Sequence, residues 1–506
     1  MRLRPESIGS LVRRRPGSPS LASALFPVLL GWSFALLFLA PPPVAFAQNA
    51  SSQTGRQPDL DRPSSKRVVP PPPVAFDAGI DLRARQESLH NLLDFHYDPQ
   101  QPVGDLNIRS DAHYYRVRHR IWAQLKLRSG PRLYSRFTTE WRKYLVPYLT
   151  PKKTEVILDN FYIDIPHLPG VPLSVRIGRQ DLVRGEGFVL LEGGPLDGSR
   201  SIYMNAAVIG FDGANIGLPK MRFELLGIRN PAWDEFILAN GWTEEQQARN
   251  QGRIVENDET AAGLYITRES LGKQRLEGYY IYKEEEAPSE ADPYLRLHTV
   301  GARATGALPY EIEYAAEGAL QFGHDDSLSV GMRAREHRSY GAHAWIKRSV
   351  RFLIQPTVKL GGIYLSGDDP DDDASDPVDE SWNPLFSRWP MWSELVLYSL
   401  SAETGRVGYW SNLSAVTAGG DLRIGTRVLL SYNYYHFMAP HAHPAGGPDS
   451  FFGTGTTRGD NHQWKLAVTM NPWISWHFLV ESFSPGDFYG PQENGYFLRW
   501  ELMVTK

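Results

Sequence analysis

His113-Tyr114-Tyr115-Arg116-Val117-Arg118-His119-Arg120-Ile121-Trp122-Ala123-Gln124-Leu125-Lys126-Leu127 is a stretch with a period of two. Tyr115, Val117, Ile121, Ala123, Leu125 and Leu127 share one parity. Arg116, Arg118, Arg120, Gln124 and Lys126 share the other, and only His119 and Trp122 break the alternation. Successive side chains of a strand point to opposite faces, so the stretch predicts one long strand with an apolar and a polar face. Strands of about nine to eleven residues suit a tilted crossing of a bilayer. Soluble sandwiches average about five or six.

The same arrangement recurs along the chain. Leu133, Phe137 and Trp141 stand against Arg132, Arg136, Glu140 and Arg142. Ile312, Tyr314, Ala316 and Leu320 oppose Glu311, Glu313, Glu317 and Gln321. Leu422, Ile424, Val428, Leu430, Tyr432 and Tyr434 oppose Asp421, Arg423, Arg427, Ser431 and Asn433. Near the end, Tyr496, Leu498, Trp500, Leu502 and Val504 oppose Arg499 and Glu501. Long polar loops near 183–205, 230–258, 283–297, 324–338, 366–391, 439–461 and 483–494 alternate with short turns. Short turns on one rim and long loops on the other define a transmembrane antiparallel up-and-down β-barrel, all-β, of about 18 strands (16–18). Composition agrees: aromatics reach 12%, glycines number 45, and cysteine is absent, which removes disulfides and thiolate ligands.

The first residues supply an address. Arg2, Arg4, Arg13, Arg14 and Arg15 precede an apolar run from Leu21 to Ala40, and Ala45-Phe46-Ala47 offers a small-x-small cleavage site. This order predicts a secretory signal over residues 1–47; the other reading is an uncleaved anchor. Cleavage would leave 48 basic and 56 acidic residues, a net charge of −8. Residues 48–80, which contain Pro70-Pro71-Pro72-Pro73, read as a Pro-rich periplasmic leader, and the barrel is expected over 81–506. Leu89 to Phe95 could hold a short helix. No later run is long and apolar enough for a membrane helix, so any later span must use strands.

The polar parity carries the candidate chemistry. Arg116, Arg118, Arg120, Arg136, Arg142, Arg176, Arg303, Arg423, Arg427 and Arg499 are expected to line a lumen, together with Glu140, Glu224, Glu311, Glu313, Glu317, Asp421 and Glu501. A planar guanidinium pairs bidentately with a carboxylate and stays charged, so an arginine-rich stretch would attract an anionic solute. The competing reading is a ladder in which Arg and Glu of adjacent strands neutralise one another. Three cations on one strand at Arg116, Arg118 and Arg120 favour the first reading at that place. Gly367-Asp368-Asp369-Pro370-Asp371-Asp372-Asp373 lacks the glycine and glutamate of an EF-hand loop and reads as solvated. His441 and His443 carry no stronger signal. No metal, cofactor or nucleic-acid partner is expected, and no nucleophile, zinc or phosphate-loop motif is present.

Ile177-Gly178-Arg179-Gln180, Phe211-Asp212-Gly213, Leu365-Ser366-Gly367-Asp368-Asp369-Pro370 and Trp382-Asn383-Pro384-Leu385-Phe386-Ser387-Arg388 together resemble the alginate export family of outer-membrane barrels. The resemblance covers most of the chain from about residue 80. It implies an eighteen-stranded barrel that passes an anionic polysaccharide through an arginine-rich constriction, with membrane lipid and periplasmic export components as partners. It carries over Gly178, Arg179, Gln180, Asp212, Gly213, Asp368, Asp369, Pro384 and Phe386 as motif residues. By parity Arg179 would face lipid with Val175 and Ile177, so a bulge or strand end is expected near Gly178. A porin for another small solute, and a secreted β-rich carbohydrate-active enzyme, are the alternatives.

Overall fold

A computed structural model describes residues 74–91, 111–146, 153–192, 204–232, 236–240, 257–269, 273–286, 294–326, 335–350, 354–369, 378–387, 393, 409–444, 446–447, 451–490 and 493–506. The expected export signal, the leader up to residue 73 and the acidic stretch 370–373 lie outside them.

Alternating apolar and polar residues make strands, and the strands pair in chain order until the last meets the first. They are β1 (Val74–His90), β2 (Ala112–Leu127), β3 (Arg132–Val146), β4 (Lys153–Ile165), β5 (Leu173–Gln180), β6 (Met204–Asp212), β7 (Met221–Asn230), β8 (Asp258–Glu269) and β9 (Arg275–Glu286). The second half is β10 (Leu295–Leu308), β11 (Ile312–Asp325), β12 (Arg335–Ser349), β13 (Pro356–Leu365), β14 (Leu413–Ile424), β15 (Val428–Met438), β16 (Thr457–Asn471), β17 (Ile474–Pro485) and β18 (Gly495–Thr505). Every neighbouring pair is antiparallel, and β1 pairs with β18, which closes an 18-strand barrel. At the seam Ile80 and Lys506 exchange backbone hydrogen bonds of 2.8 and 2.9 Å.

The apolar parity faces outward. Ile121 is 61% exposed, Leu320 63% and Val358 60%, a surface that only lipid tails would solvate. Toward the long-loop rim this surface carries aromatic rings in contact: Tyr282 with His298 at 4.7 Å, His298 with Phe322 at 5.2 Å, and Tyr340 with Tyr364 at 5.4 Å. Amphipathic rings of this kind sit at the membrane interface. The turns 128–131, 309–311, 425–427 and 472–473 lie on one rim, and the connections 181–203, 231–257, 366–412 and 439–456 on the other.

The structure moves three boundaries. β1 begins at Val74, inside the segment expected as leader, because Val74, Phe76 and Ile80 form its lipid face. Leu89 and His90 end that strand instead of starting a helix. Arg427 sits in the turn between β14 and β15, and Arg423 is one residue from the end of β14, so neither lies deep in the lumen. The misreading came from continuing one parity through a turn.

If Leu320 faces lipid, Leu320→Arg should destabilise the barrel by about 2–4 kcal/mol in denaturant titrations in lipid vesicles. A change below about 0.5 kcal/mol would place that parity inside.

Candidate functional site: the barrel lumen

The inward parity of β1, β2, β3 and β18 makes a charged wall. Asp81, Arg83, Arg85 and Glu87 of β1 point inward, and the register sets Arg83 opposite Arg118, Arg85 opposite Arg116, and Asp81 opposite Arg120. Across the seam Arg85 meets Glu501 and Glu87 meets Arg499. Carboxylates reach most of these cations. Arg118 Nη2 lies 3.0 Å from Asp81, Arg116 Nε 3.0 Å from Glu140, and Arg499 Nε 2.7 Å from Glu87. Arg85 pairs with Glu501, and Arg142 Nε lies 2.5 Å from Glu140. Cations still outnumber anions here. Arg83, Arg85, Arg116, Arg118, Arg120, Arg136, Arg142 and Arg499 face Asp81, Glu87, Glu140, Asp159, Asp181 and Glu501 among the described residues.

A break in β4 supplies one of those anions. Register shifts between Arg136 and Phe137 of β3, so Asp159 and Asn160 of β4 both turn inward and are buried. Asp159 accepts from Arg136 Nε at 2.9 and 3.0 Å and from Thr138 Oγ1 at 2.5 Å. It is 3.7 Å from Arg120 Nε. Arg120 is 2% exposed, and among the described residues its Nε and Nη2 find no hydrogen-bond acceptor. The far side of Arg136 holds Asp181 through both Nη atoms at 3.0 Å, and Asn160 Nδ2 donates to the same carboxylate at 2.9 Å. Asp181 is the first residue after β5, so this cluster staples the root of the 181–203 connection.

The opposite part of the ring sets apolar residues around a buried ion cluster, Lys283 with Glu259 and Glu285. Tyr265, Tyr279, Ile281, Leu297, Ile363 and Leu365 are buried on the inward parity of β8, β9, β10 and β13. Two connections fold inward onto them. Leu182–Val183 and Leu190–Glu192 form a small hairpin, and Phe386–Ser387 adds to it in parallel. Phe188, Val189, Leu190, Trp382, Leu385 and Phe386 are buried there, and Phe188 stacks on Trp382 with centroids 5.2 Å apart. Lys283, fully buried, donates to the Leu385 carbonyl at 2.9 Å and sits 4.6 Å from the centroid of Phe386. The hairpin tip reaches the wall through Glu186, which accepts from Trp345 Nε1 at 2.9 Å and lies 3.7 Å from Arg303. Arg303 also pairs with Glu277 at 2.6 Å and Glu317 at 3.6 Å. These folded connections thus narrow the lumen at that wall.

The expected residues therefore separate into groups. Arg116, Arg118, Arg120, Arg136, Arg142 and Arg499 come together on one wall, while Arg303 stands across the ring beneath the hairpin. Arg176, near the short-turn rim, lies 3.4 Å from Asp164 and 4.9 Å from the centroid of Tyr162. The motif residues are structural punctuation. β5 ends at Gln180, and Gly178 has a φ of +126° that lets Arg179 and Gln180 both be buried, without a register shift against β6. Arg179 Nε donates to Asn205 at 3.1 Å, and its guanidinium lies 4.4 Å from the centroid of Phe236. Asp212 accepts from Ala214 N–H at 2.9 Å and caps the turn, where a Cβ on Gly213 would meet the Leu218 carbonyl at 2.6 Å. Asp368 holds Arg335 at 2.9 and 3.0 Å; Asp369 lies 3.6 Å from His441. The Pro384 carbonyl accepts from Ser387 N–H at 2.8 Å. No grouping of His, Asp and Glu fit to hold a metal occurs among the described residues.

Arg83, Arg85, Arg184, Glu186 and Lys283 escaped the sequence reading. Arg83 and Arg85 belong to a strand whose outward set fades into Gln86 and Ser88, so its alternation is faint. Arg184, which pairs with Glu224 at 2.9 Å, and Glu186 lie in a connection whose inward path depends on the apolar wall. An acidic or basic residue flanked by glycines, as in Arg184-Gly185-Glu186-Gly187, was the available signal.

A closed barrel with a lipid face outside and a charged lumen inside defines an outer-membrane channel protein. Residues 244–497 match the alginate export family, and the chain belongs to that family. No curated protein sequence matches it. Among solved structures it is similar to OccK2 (OpdF) of Pseudomonas aeruginosa, both in complex with glucuronate and without it. The TM-score is 0.50 in each case, with 12% and 13% identity over 85% of this chain and 98% and 97% of that one. At that identity the likeness concerns the fold.

Asp181→Ala removes three charge-assisted bonds from the loop root, two from Arg136 and one from Asn160, each worth about 1.5–3 kcal/mol. Single-channel recordings should show a larger mean conductance and more frequent transitions between levels. A trace identical to that of the unaltered protein would mean the staple does not hold the hairpin in place.

Proposed function

We propose that the channel passes an anionic, alginate-like polysaccharide or its oligomers along the arginine wall. The observation that carries this reading is the register of Arg83 against Arg118 and of Arg85 against Arg116. Inward residues two apart on a strand lie about 6.6 Å apart, so Arg116, Arg118 and Arg120 form successive stations for carboxylates. Each station already has an anion of its own: Glu140, Asp81 and Asp159. A solute carboxylate must therefore exchange with a resident one, which keeps every stop shallow. Conduction needs sites that attract without holding. The local cationic excess supplies the attraction, and salt should weaken it where the lumen is wet.

A second reading is a porin for small acidic solutes. The hairpin and the 378–387 segment, which narrow the lumen, favour it, and so does the glucuronate bound by OccK2. Both readings require anion preference and differ in the length of the solute.

Arg116→Glu, Arg118→Glu and Arg120→Glu together should move the reversal potential in a salt gradient from the anion side toward the cation side. The milder Arg118→Gln should move it part way. An unchanged potential in folded variants removes the arginine wall from selectivity. Block by oligouronates that grows with chain length supports the polysaccharide, and block by glucuronate alone supports the porin. Release of cleaved uronate ends from alginate by the purified protein would overturn both.

A further inference from the structure

In the short-turn half of the lumen, three aromatic rings form a row that the ion pairs leave unused. Trp122 of β2, Tyr134 of β3 and Tyr162 of β4 all take the inward parity and are partly buried. Trp122 and Tyr134 have centroids 6.2 Å apart and planes 20° apart; Tyr134 and Tyr162 are at 5.1 Å and 24°. This is close to the spacing of neighbouring strands, about 4.8 Å, because the row crosses the sheet. Gly79 of β1 stands opposite Trp122, and a Cβ there would come within 2.6 Å of the indole. The absent side chain gives the ring its place on the wall.

Two features set the row apart from ordinary packing. Rings that serve the membrane interface face lipid, and these face the lumen. Their polar atoms are also idle: among the described residues, neither tyrosine hydroxyl nor the indole N–H makes a hydrogen bond to the protein. The row ends in charge. The Arg176 guanidinium lies 4.9 Å from the Tyr162 centroid, and Arg176 shares Asp164 with Arg132, which leaves one cation in excess. At its other end Trp122 is the register partner of Arg136, next to the Arg120 station.

We propose that this row is a sugar-binding track at the short-turn mouth of the channel. The rings stack on one another and Arg176 lies over Tyr162, so a pyranose unit meets the edges of the stack and the polar groups they carry. The idle hydroxyls and N–H serve ring hydroxyls, and Arg176 takes the carboxylate of the unit beside Tyr162. Because barrel strands tilt by about 35–45°, a row that crosses them climbs the wall and delivers the solute to Arg136 and Arg120. The inference rests on an acidic saccharide as solute and adds that sugar hydroxyls are recognised as well as charge.

The test measures block of single-channel current by an oligouronate and by polyglutamate, a polyanion without sugar rings. Tyr134→Ala with Tyr162→Ala should weaken oligouronate block by about tenfold, and Trp122→Ala should do the same. Block by polyglutamate should shift by less than about twofold. Tyr134→Phe with Tyr162→Phe keeps the stack but removes both hydroxyls and should weaken oligouronate block nearly as much, and heat-modifiable migration checks that each variant is folded. Oligouronate block unchanged by the alanine variants overturns the track, as does equal weakening for both polyanions or absence of oligouronate block in the unaltered channel. Failure of the arginine wall would appear instead in the reversal potential of its own variants.

Discussion

Everything in this structure depends on one requirement: a backbone in lipid must satisfy its own N–H and C=O groups. A sheet meets it only by closing, and this chain closes by returning β18 to β1. Closure then dictates the side chains. One parity must be apolar against lipid, and the other is free to be charged because it surrounds water. The composition of the lumen is thus a choice open to function, whereas that of the outer face is not.

The chain uses that freedom unevenly. On β8, β9, β10 and β13 much of the lumen wall is apolar, and two connections dock onto it as a small internal core around Phe188, Trp382 and Phe386. On β1, β2, β3 and β18 the middle of the lumen is charged, and apolar inward residues such as Leu89, Tyr114 and Phe497 gather at the long-loop end. The hairpin is held to one wall by hydrophobic contact and at its root by Asp181 and Arg136.

Much of the barrel was legible because period two is a local property. The lipid face of β2 can be read residue by residue, and Arg116, Arg118 and Arg120 lie where parity put them. What depends on distant contacts was hidden. Arg83 and Arg85 gain their meaning only from a register partner on β2. The wrong parity of Arg179 pointed to an irregularity at Gly178, but that a positive φ there and no register shift would bury it could not be read from alternation. Arg427 was assigned to the lumen because a turn of three residues preserves parity while ending the strand. The inward hairpin left almost no local trace, since its fate is decided by an apolar wall spread over four strands. Trp122 was noticed only as an exception to the alternation, and its stacking on Tyr134 needs the register of β3.

The seam adds a further consequence, for assembly. Arg85–Glu501 and Glu87–Arg499 join residues more than four hundred positions apart, so they form only when the first and last strands meet. Their crossed order proofreads that meeting. A slip by two residues, which keeps every side chain on its proper face, sets Arg85 against Arg499 in one direction and Glu87 against Glu501 in the other. Hydrophobic patterning cannot detect such an error, since parity is preserved. Like charges facing each other can, so the joint carries its own key.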